Sequence, residues 1–338
     1  MLNSLSIRGF SVGWRYLIGL SLFMLEASLM AQRPADRGGE GADATGGIEL
    51  IVLGIAQDGG YPQTGCRKAC CKLVWAEPER RRFVASIGLV DRATNERWLV
   101  DCTPDFRDQL RLFDTLARAD QSSPGLNGIL LTHAHIGHYT GLMHLGHEAM
   151  GAQRVPVFAM PRMSRFLRTQ GPWSQLVEKQ NIQIHEIEAN RSFQLNPRIE
   201  VTPIPVPHRD EFSETVAFLI RTPGRRVLYL PDIDKWSRWD HSIEAMLDRV
   251  DLAFIDGTFF ENGEIPGRDM STIPHPFVQE SIQAFAGLDE EARKRVRFIH
   301  LNHTNPALRT DDLARQTIQR AGMGVAEQGE IYELLHGN

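Results

Sequence analysis

Three histidines lie within six residues directly after a short apolar segment, and this cluster restricts the fold more than any other feature of the chain. His133, His135 and His138 follow the apolar residues 129–131. Imidazole is a common transition-metal ligand, and the end of a strand fixes a loop well enough for neighbouring imidazoles to converge. His133 and His135 are two residues apart, so in extended backbone they point the same way. The cluster predicts a metal site at the end of a buried strand; the alternative is an accidental group among the 12 histidines of the chain.

From Ile48 onward, the chain alternates between short apolar strands and amphipathic helical stretches. In the predicted helix at residues 105–117, four large apolar side chains recur at helical spacing. Two similar halves built in this way predict an αββα sandwich, in which two sheets face each other and helices cover the outer sides. No linker divides residues 48–338, which we expect to form one domain. The predicted strands are 48–54, 83–90, 98–101, 129–132, 199–206, 216–221, 227–230, 252–255 and 296–299, and the predicted helices are 105–117, 139–150, 276–286 and 311–320.

The charge balance argues against a nucleic-acid-binding surface. The 338 residues carry a formal net charge of -5, whereas such a surface needs a basic balance. A hydrophobic fraction of 42% is sufficient for a real core. We therefore expect a small-molecule substrate as the partner, no nucleic acid, and no membrane beyond export; the oligomeric state stays open.

The N-terminal segment has the pattern of an export signal. Arg8 and Arg15 precede an apolar run at residues 16–25, and small residues follow up to Ala31. Glu26 interrupts the run, which is short of the about 20 apolar residues that span a bilayer. We predict a cleaved signal peptide at residues 1–31 and a flexible leader at 32–47, and hence a periplasmic or secreted protein; an uncleaved anchor is the alternative.

Further candidate ligands follow predicted strands elsewhere in the chain. Asp101, His208, Asp232 and His300 each come at the end of an apolar strand. Together with residues 133–138, this order resembles the pattern of metallo-β-lactamase-fold hydrolases, which carry a His-x-His-x-Asp-His signature. The resemblance implies a supporting role for Asp101, a carboxylate shared between two ions at Asp232, and metal ligands at His133, His135, His138, His208, Asp232 and His300.

One position departs from that signature. Gly137 stands where the family has an aspartate that ligates the second ion, and glycine offers no donor. The site therefore holds one ion, or a weak second ion on His138, Asp232 and His300, or a second ion for which His303 supplies the missing ligand. We favour one tight and one weak site; for His303, a loop role that orients His300 is the alternative. The family resemblance implies zinc, with iron and manganese as alternatives.

Two further segments resemble the pyrroloquinoline-quinone biosynthesis B protein branch of this family, at residues 54–71 and 300–306. In those relatives, early cysteines and one distant histidine hold a structural zinc. Carried over, that site would be Cys66, Cys70, Cys71 and His275. A disulfide is the alternative for the cysteines, because an exported protein meets an oxidising compartment, and a loop role is the alternative for His275. Cys102 is expected to be a small buried apolar residue.

The resemblance implies a metal-dependent hydrolase that uses metal-activated water on an ester, lactone or phosphodiester. Asp232 would ligate the metal and orient the nucleophile, and Asp210 and Glu211 are candidates for a general acid. The B-protein branch has other residues where this chain has His133 and His135, so the branch does not fix the activity. A non-haem iron oxygenase and a non-catalytic metal-binding module are the alternatives.

Overall fold

A computed structural model describes residues 46–119, 125–310 and 312–336. All of them fall within one unit, Ala42–Asn338. The predicted signal peptide lies outside the described residues, as does the predicted leader except for Gly46 and Gly47. In the described part of the chain, no helix combines the length and the apolar character needed to cross a bilayer.

Two β-sheets form the centre of the fold, and the described residues contribute seven strands to each. The first sheet contains β1 (Ile48–Gly54), β2 (Ser86–Asp91), β3 (Glu96–Val100), β4 (Gly128–Leu130), β5 (Val155–Ala159), β6 (Ile182–Glu186) and β14 (Ile331–Leu335). The second sheet contains β7 (Phe193–Asn196), β8 (Ile199–Pro205), β9 (Val216–Arg221), β10 (Arg226–Leu230), β11 (Leu252–Asp256), β12 (Val296–Ile299) and β13 (Gly324–Val325).

Helices connect the strands. They are α1 (Ala69–Ala76), α2 (Phe106–Leu116), α3 (Ile136–Tyr139), α4 (Pro161–Thr169), α5 (Trp173–Glu178), α6 (Ile243–Leu247), α7 (Val278–Ala284), α8 (Glu290–Lys294) and α9 (Leu313–Arg320). Short 3₁₀ turns lie at Pro78–Arg80, Thr140–Leu145, Trp236–Arg238, Phe285–Gly287 and Pro306–Leu308.

Both sheets are mixed, and their parallel parts set the position of the functional residues. The first sheet has the order β14-β1-β2-β3-β4-β5-β6, in which the strands from β3 to β6 are parallel. The second has the order β13-β12-β11-β10-β9-β8-β7, in which the strands from β10 to β13 are parallel. The carboxyl ends of parallel strands lie at one edge of a sheet, where ligands of α/β proteins bind.

The two faces of the first sheet pack against different partners. Leu50 of β1 belongs to a buried cluster that also contains Phe218 of the second sheet. The next residue, Ile51, belongs to a separate cluster with Phe113 of α2. Because successive side chains of a strand point to opposite faces, one face of β1 meets the other sheet and the opposite face meets helices. This arrangement confirms the predicted αββα sandwich.

One predicted element is wrong in type. Residues 139–150 were expected to form a helix, but α3 ends at Tyr139 and a 3₁₀ turn follows over Thr140–Leu145. The cause is tertiary, because Gly141 N donates to Cys102 O at 2.9 Å, and Cys102 N donates to His138 O at 2.8 Å. These bonds join the histidine loop to the segment after β3, and they use backbone groups that a regular helix would bond within itself.

Gly141 makes this close approach possible. A Cβ atom at this position would lie 2.1 Å from the backbone oxygen of Thr103. We expect Gly141→Ala to lower the free energy of unfolding by about 1–3 kcal/mol, because the backbone must shift to relieve the overlap. Urea unfolding measures the change. Gly287→Ala is the matched control, since a Cβ there meets nothing within 4 Å; equal stability of the two variants would contradict the prediction.

Candidate metal centre

Residues that follow five strands, namely β3, β4, β8, β10 and β12, converge at one edge of the two sheets. Asp101 follows β3, the histidine loop follows β4, and His300 follows β12. Asp101 and His300 adopt left-handed backbone conformations, with φ of 65° and 63°. Such conformations cost roughly 1–3 kcal/mol each in residues other than glycine and are concentrated at functional sites. Both side chains are buried here, with relative exposures of 1% and 0%.

The first donor set consists of four of the residues predicted from the sequence. Their ligand atoms lie within 4.8 Å of one another. His208 Nε2 lies 3.3 Å from His135 Nδ1 and 3.5 Å from Asp232 Oδ1, and His133 Nε2 lies 3.5 Å from Asp232 Oδ2. Three imidazole nitrogens and one carboxylate thus face a common centre, formed by His133, His135, His208 and Asp232.

The second donor set contacts the same carboxylate. Asp232 Oδ2 is 3.1 Å from His138 Nε2 and 3.3 Å from His300 Nε2, and these two nitrogens are 3.3 Å apart. Asp58, which the sequence analysis did not identify as a candidate, groups with both histidines. Its Oδ1 lies 3.6 Å from His138 Nε2. The structure therefore brings together the predicted His138, His300 and Asp232 and adds a carboxylate to them.

Each inward-facing imidazole is held through its other nitrogen, as is usual for metal-ligating histidines. His135 turns Nδ1 toward the centre, and its outward Nε2 lies 3.4 Å from Glu211 Oε2. The other four contacts are His133 Nδ1 with Thr132 Oγ1 at 3.0 Å, His138 Nδ1 with Asp101 Oδ2 at 2.7 Å, His208 Nδ1 with Asp234 Oδ1 at 3.3 Å, and His300 Nδ1 with Thr258 Oγ1 at 3.1 Å.

These contacts decide which nitrogen of the neutral imidazoles carries the proton. The Thr132 hydroxyl donates to Asp101 Oδ1 at 2.9 Å, so it accepts a hydrogen bond from His133 Nδ1. The Thr258 hydroxyl donates to Asp256 Oδ1 at 2.7 Å, so it accepts from His300 Nδ1. A neutral imidazole has one N–H donor and one acceptor nitrogen. The Nε2 atoms of His133 and His300 are therefore unprotonated, and their lone pairs face the centre.

Two buried atoms of the first set have no hydrogen-bond partner, namely His133 Nε2 and Asp232 Oδ1. Burial and the neighbouring His138 hold the pKa of His133 well below its usual value. Burial and the neighbouring His275 lower the pKa of His208 to about 2. Metal ligation requires neutral imidazoles. A transition-metal cation fits this donor set, because it would satisfy both unpartnered atoms.

His275 is not placed where the family resemblance put it. Instead of facing the cysteines, His275 Nδ1 lies 2.7 Å from Asp256 Oδ2 and 3.4 Å from Asp232 Oδ1. Although burial opposes the charged form, the Asp256 carboxylate raises the pKa of His275 to about 9. Burial raises the pKa of Asp232 to about 6. His275 thus forms a wall of the metal centre, and its ring centroid lies 5.2 Å from that of His208.

The cysteines face His303 instead. Cys66 Sγ is 3.8 Å from Cys70 Sγ, and His303 Nδ1 is 3.6 Å from Cys70 Sγ and 3.4 Å from Cys71 Sγ. A tetrahedral zinc with Zn–S bonds of about 2.3 Å has S···S edges of about 3.8 Å and S···N edges of about 3.6 Å. The four donors therefore fit a structural zinc, and all four cysteines of the chain are free thiols rather than disulfide-bonded.

The sequence-based expectations for His275 and His303 both change as a result. The suggestion that His303 ligates the second active-site ion is wrong in this structure, because its ring points to the thiols. Adjacent Cys70 and Cys71 reach one centre because they lie in the first turn of α1, whose helical backbone supplies the bend. Cys102 is fully buried, as expected. Asp210 lies on the exposed loop and pairs with Arg162 at 3.0 Å.

Comparison with known proteins identifies the family. The model of the beta-lactamase superfamily domain matches residues 96–301, a span that contains both donor sets except Asp58. The chain belongs to the metallo-β-lactamase superfamily. This superfamily member is 31% identical to the coenzyme PQQ synthesis protein B of Pseudomonas putida over 312 residues, which cover 84% of this chain and 99% of that protein.

Two other comparisons agree with this assignment. The coenzyme PQQ synthesis protein B of Methylorubrum extorquens is 26% identical over 313 residues, covering 85% of this chain and 100% of that one. The crystal structure of Zn²⁺-bound PqqB from Methylobacterium extorquens matches with a TM-score of 0.71 at 24% identity, over 85% of this chain and 100% of that one. The structural likeness supports the fold.

Asp101 orients His138, and we expect Asp101→Asn to weaken metal binding. Asn has a single oxygen, so it cannot accept from both Thr132 N and His138 Nδ1, which lie 2.9 and 2.7 Å from the two carboxylate oxygens. Asn tolerates the left-handed conformation, so the backbone is preserved. Affinity for the more weakly held zinc should fall about 10- to 100-fold, measured by titration calorimetry. Asp91→Asn is the control, because Asp91 ends β2 beside Ile48, at the end of the first sheet that lies away from the metal centre. A similar loss of affinity in Asp91→Asn would refute the assignment.

Replacement of one thiolate should remove the structural ion. Cys71→Ser substitutes a hydroxyl that stays protonated at neutral pH, and zinc prefers thiolate in such sites. We expect one zinc fewer per chain by plasma mass spectrometry after zinc loading and desalting. Cys102→Ala controls for the loss of a thiol as such, and it should retain the full zinc content. Full zinc content in Cys71→Ser would contradict the site.

Proposed function

We propose that this protein is a metal-dependent hydrolase that acts on an ester, lactone or phosphodiester. The observation that carries the proposal is the pair of donor sets that share Asp232. Paired sites that share a carboxylate are typical of hydrolases that clamp the attacking and leaving oxygens between two ions. The first set contains only neutral nitrogens and one carboxylate, which suits zinc, and manganese is the alternative. The zinc named for the structural relative supports the same choice of metal.

Bound in the first set, the ion would lower the pKa of a coordinated water to about 7 and polarise a carbonyl or phosphoryl oxygen. The residues of the chain supply position and charge. Asp232 Oδ1 lies 3.5 Å from His208 Nε2, and Oδ2 lies 3.5 Å from His133 Nε2 and 3.1 Å from His138 Nε2. This carboxylate therefore contacts both donor sets and can accept a hydrogen bond from a water held between them. The charged His275 lies beside Asp232 and helps to keep it ionised, because the positive imidazole stabilises the carboxylate.

Of the two candidate general acids from the sequence, Glu211 contacts a histidine of the metal centre, whereas Asp210 pairs with Arg162. Glu211 Oε2 lies 3.4 Å from His135 Nε2, and the Glu211 side chain is 50% exposed. A residue that bonds the rear nitrogen of an inward-facing imidazole orients that imidazole. We therefore assign Glu211 a positioning role and propose no separate protein general acid.

The signal peptide predicted for residues 1–31, which lie outside the described residues, leads us to propose a periplasmic or secreted location.

A non-haem iron oxygenase is the second candidate, and one observation favours it. Asp58, His138 and His300 form a group of two histidines and one carboxylate, which is the ligand set of many non-haem Fe(II) oxygenases. Oxygen uptake by the ferrous protein, without hydrolysis by the zinc or manganese protein, would decide for it. A binding module without turnover would show neither activity.

Asp232→Asn tests the hydrolase proposal. Loss of this ligand should lower turnover at least about 10- to 100-fold. That is the loss of metal affinity or activity that follows replacement of a residue behind a ligand, and Asp232 is a ligand itself. The measurement is turnover of chromogenic phosphodiester and lactone substrates by the zinc and manganese forms, with circular dichroism to show that the variant is folded. Glu188→Gln is the control, because Glu188 pairs only with Arg191 on the surface. Equal turnover by Asp232→Asn and the unmutated protein would rule the proposal out.

A further inference from the structure

The space that a side chain at position 137 would need is already filled by Asp58. A Cβ atom on Gly137 would lie 2.0 Å from Asp58 Oδ1 and 2.7 Å from Asp58 Cα. Gly137 lies in α3 and its φ is outside the left-handed region, so the backbone does not require glycine there. What excludes a side chain is therefore Asp58.

Asp58 is held in place from two directions. Gly137 N donates a hydrogen bond to Asp58 Oδ1 at 3.1 Å. The loop that carries Asp58 is fixed to the residue after His300, because Gln57 N donates to Leu301 O and Leu301 N donates to Ile55 O, both at 2.8 Å. The carboxylate is thus positioned by the two segments that carry His138 and His300.

The atoms that meet at this point are all acceptors when the imidazoles are neutral. His300 Nε2 carries a lone pair, because His300 Nδ1 donates to the Thr258 hydroxyl. His138 Nδ1 donates to Asp101 Oδ2 at 2.7 Å, so His138 Nε2 carries a lone pair in the neutral imidazole that metal ligation requires. Without a metal, although burial opposes the charged form, the Asp101 and Asp232 carboxylates raise the pKa of His138, so that a proton on Nε2 takes the place of the cation. The two Nε2 atoms lie 3.3 Å apart and both face Asp232 Oδ2. Acceptors at such distances repel one another unless a cation, either a proton or a metal ion, lies between them.

We propose that Asp58 Oδ1 completes a second divalent-cation site with His138 Nε2, His300 Nε2 and Asp232 Oδ2. Asp58 enters from the loop after β1 and takes the place of the aspartate that Gly137 lacks. Asp58 and Gly137 therefore form an exchangeable pair, in which one position carries the carboxylate and the other leaves the room for it. Two nitrogens and two carboxylate oxygens suit Zn²⁺, Mn²⁺ or Fe²⁺. This inference rests on the proposed metal centre but not on the hydrolytic reaction.

Metal stoichiometry of Asp58→Ala tests the proposal directly. After loading with zinc and desalting, we expect one ion fewer per chain by plasma mass spectrometry, or an affinity for the second ion that is at least about 10- to 100-fold lower by calorimetry. Asp269→Asn is the matched control, since Asp269 also accepts a backbone N–H, from Ser271 at 2.9 Å, on an exposed turn. A folded Asp58→Ala protein with undiminished affinity for the second ion would overturn the proposal.

An exchange of the two residues provides the second test. Gly137→Asp alone should lose the second ion, because its side chain overlaps Asp58. In Asp58→Gly/Gly137→Asp, the overlap is reduced to the Cα atom, so a small movement of the loop should restore the ion. Cobalt substitution gives an absorption spectrum of each site that does not depend on turnover. A double variant that is folded and keeps its first ion, but binds the second no better than either single variant, would overturn the exchange.

The same measurements separate this inference from the proposed function. Loss of the second ion in Asp58→Ala, in a protein whose unmutated form hydrolyses no substrate, would support the site and refute the hydrolase. Undiminished binding in Asp58→Ala, in a protein whose unmutated form is an active hydrolase, would refute the role of Asp58 and leave the hydrolase standing.

Discussion

The buried carboxylate of Asp232 is the constraint on which the rest of the centre depends. This residue is 3% exposed, and its two oxygens lie within 3.5 Å of imidazole nitrogens from five histidines. An ionised carboxylate is costly to bury unless it is paired. Segments that follow strands of both sheets must therefore meet at one edge. The left-handed backbone at Asp101 and His300 is tolerated because the same network holds both side chains.

Much of this centre could be predicted because its residues follow buried strands. The apolar runs at β4, β8, β10 and β12 are clear in the sequence, and the side chains after them converge for topological reasons. His208 and Asp232 were found in this way, and the structure places them within 3.5 Å of each other. The predicted ends of β9 and β12 agree with the structure.

The residues that the sequence did not identify are those placed by loops. Asp58 reaches its position through the bond between Gln57 and Leu301, and nothing in the local spacing indicates that contact. The exchange of His275 for His303 has a similar cause, since both histidines lie in loops and their spacing in the sequence does not tell which of them faces the thiols. The absence of donor atoms at Gly137 was the available signal, because a lost ligand predicts a replacement from elsewhere.

The segment from His300 to His303 joins two chemically different centres. One end faces Asp232 at 3.3 Å, and the other faces Cys71 at 3.4 Å. The residues between them are fixed, because Leu301 bonds to Ile55 and Asn302 N donates to Thr258 O at 2.9 Å. Because both intervening residues are held, the placement of His300 at the carboxylate and the placement of His303 at the thiols depend on one short segment of fixed backbone.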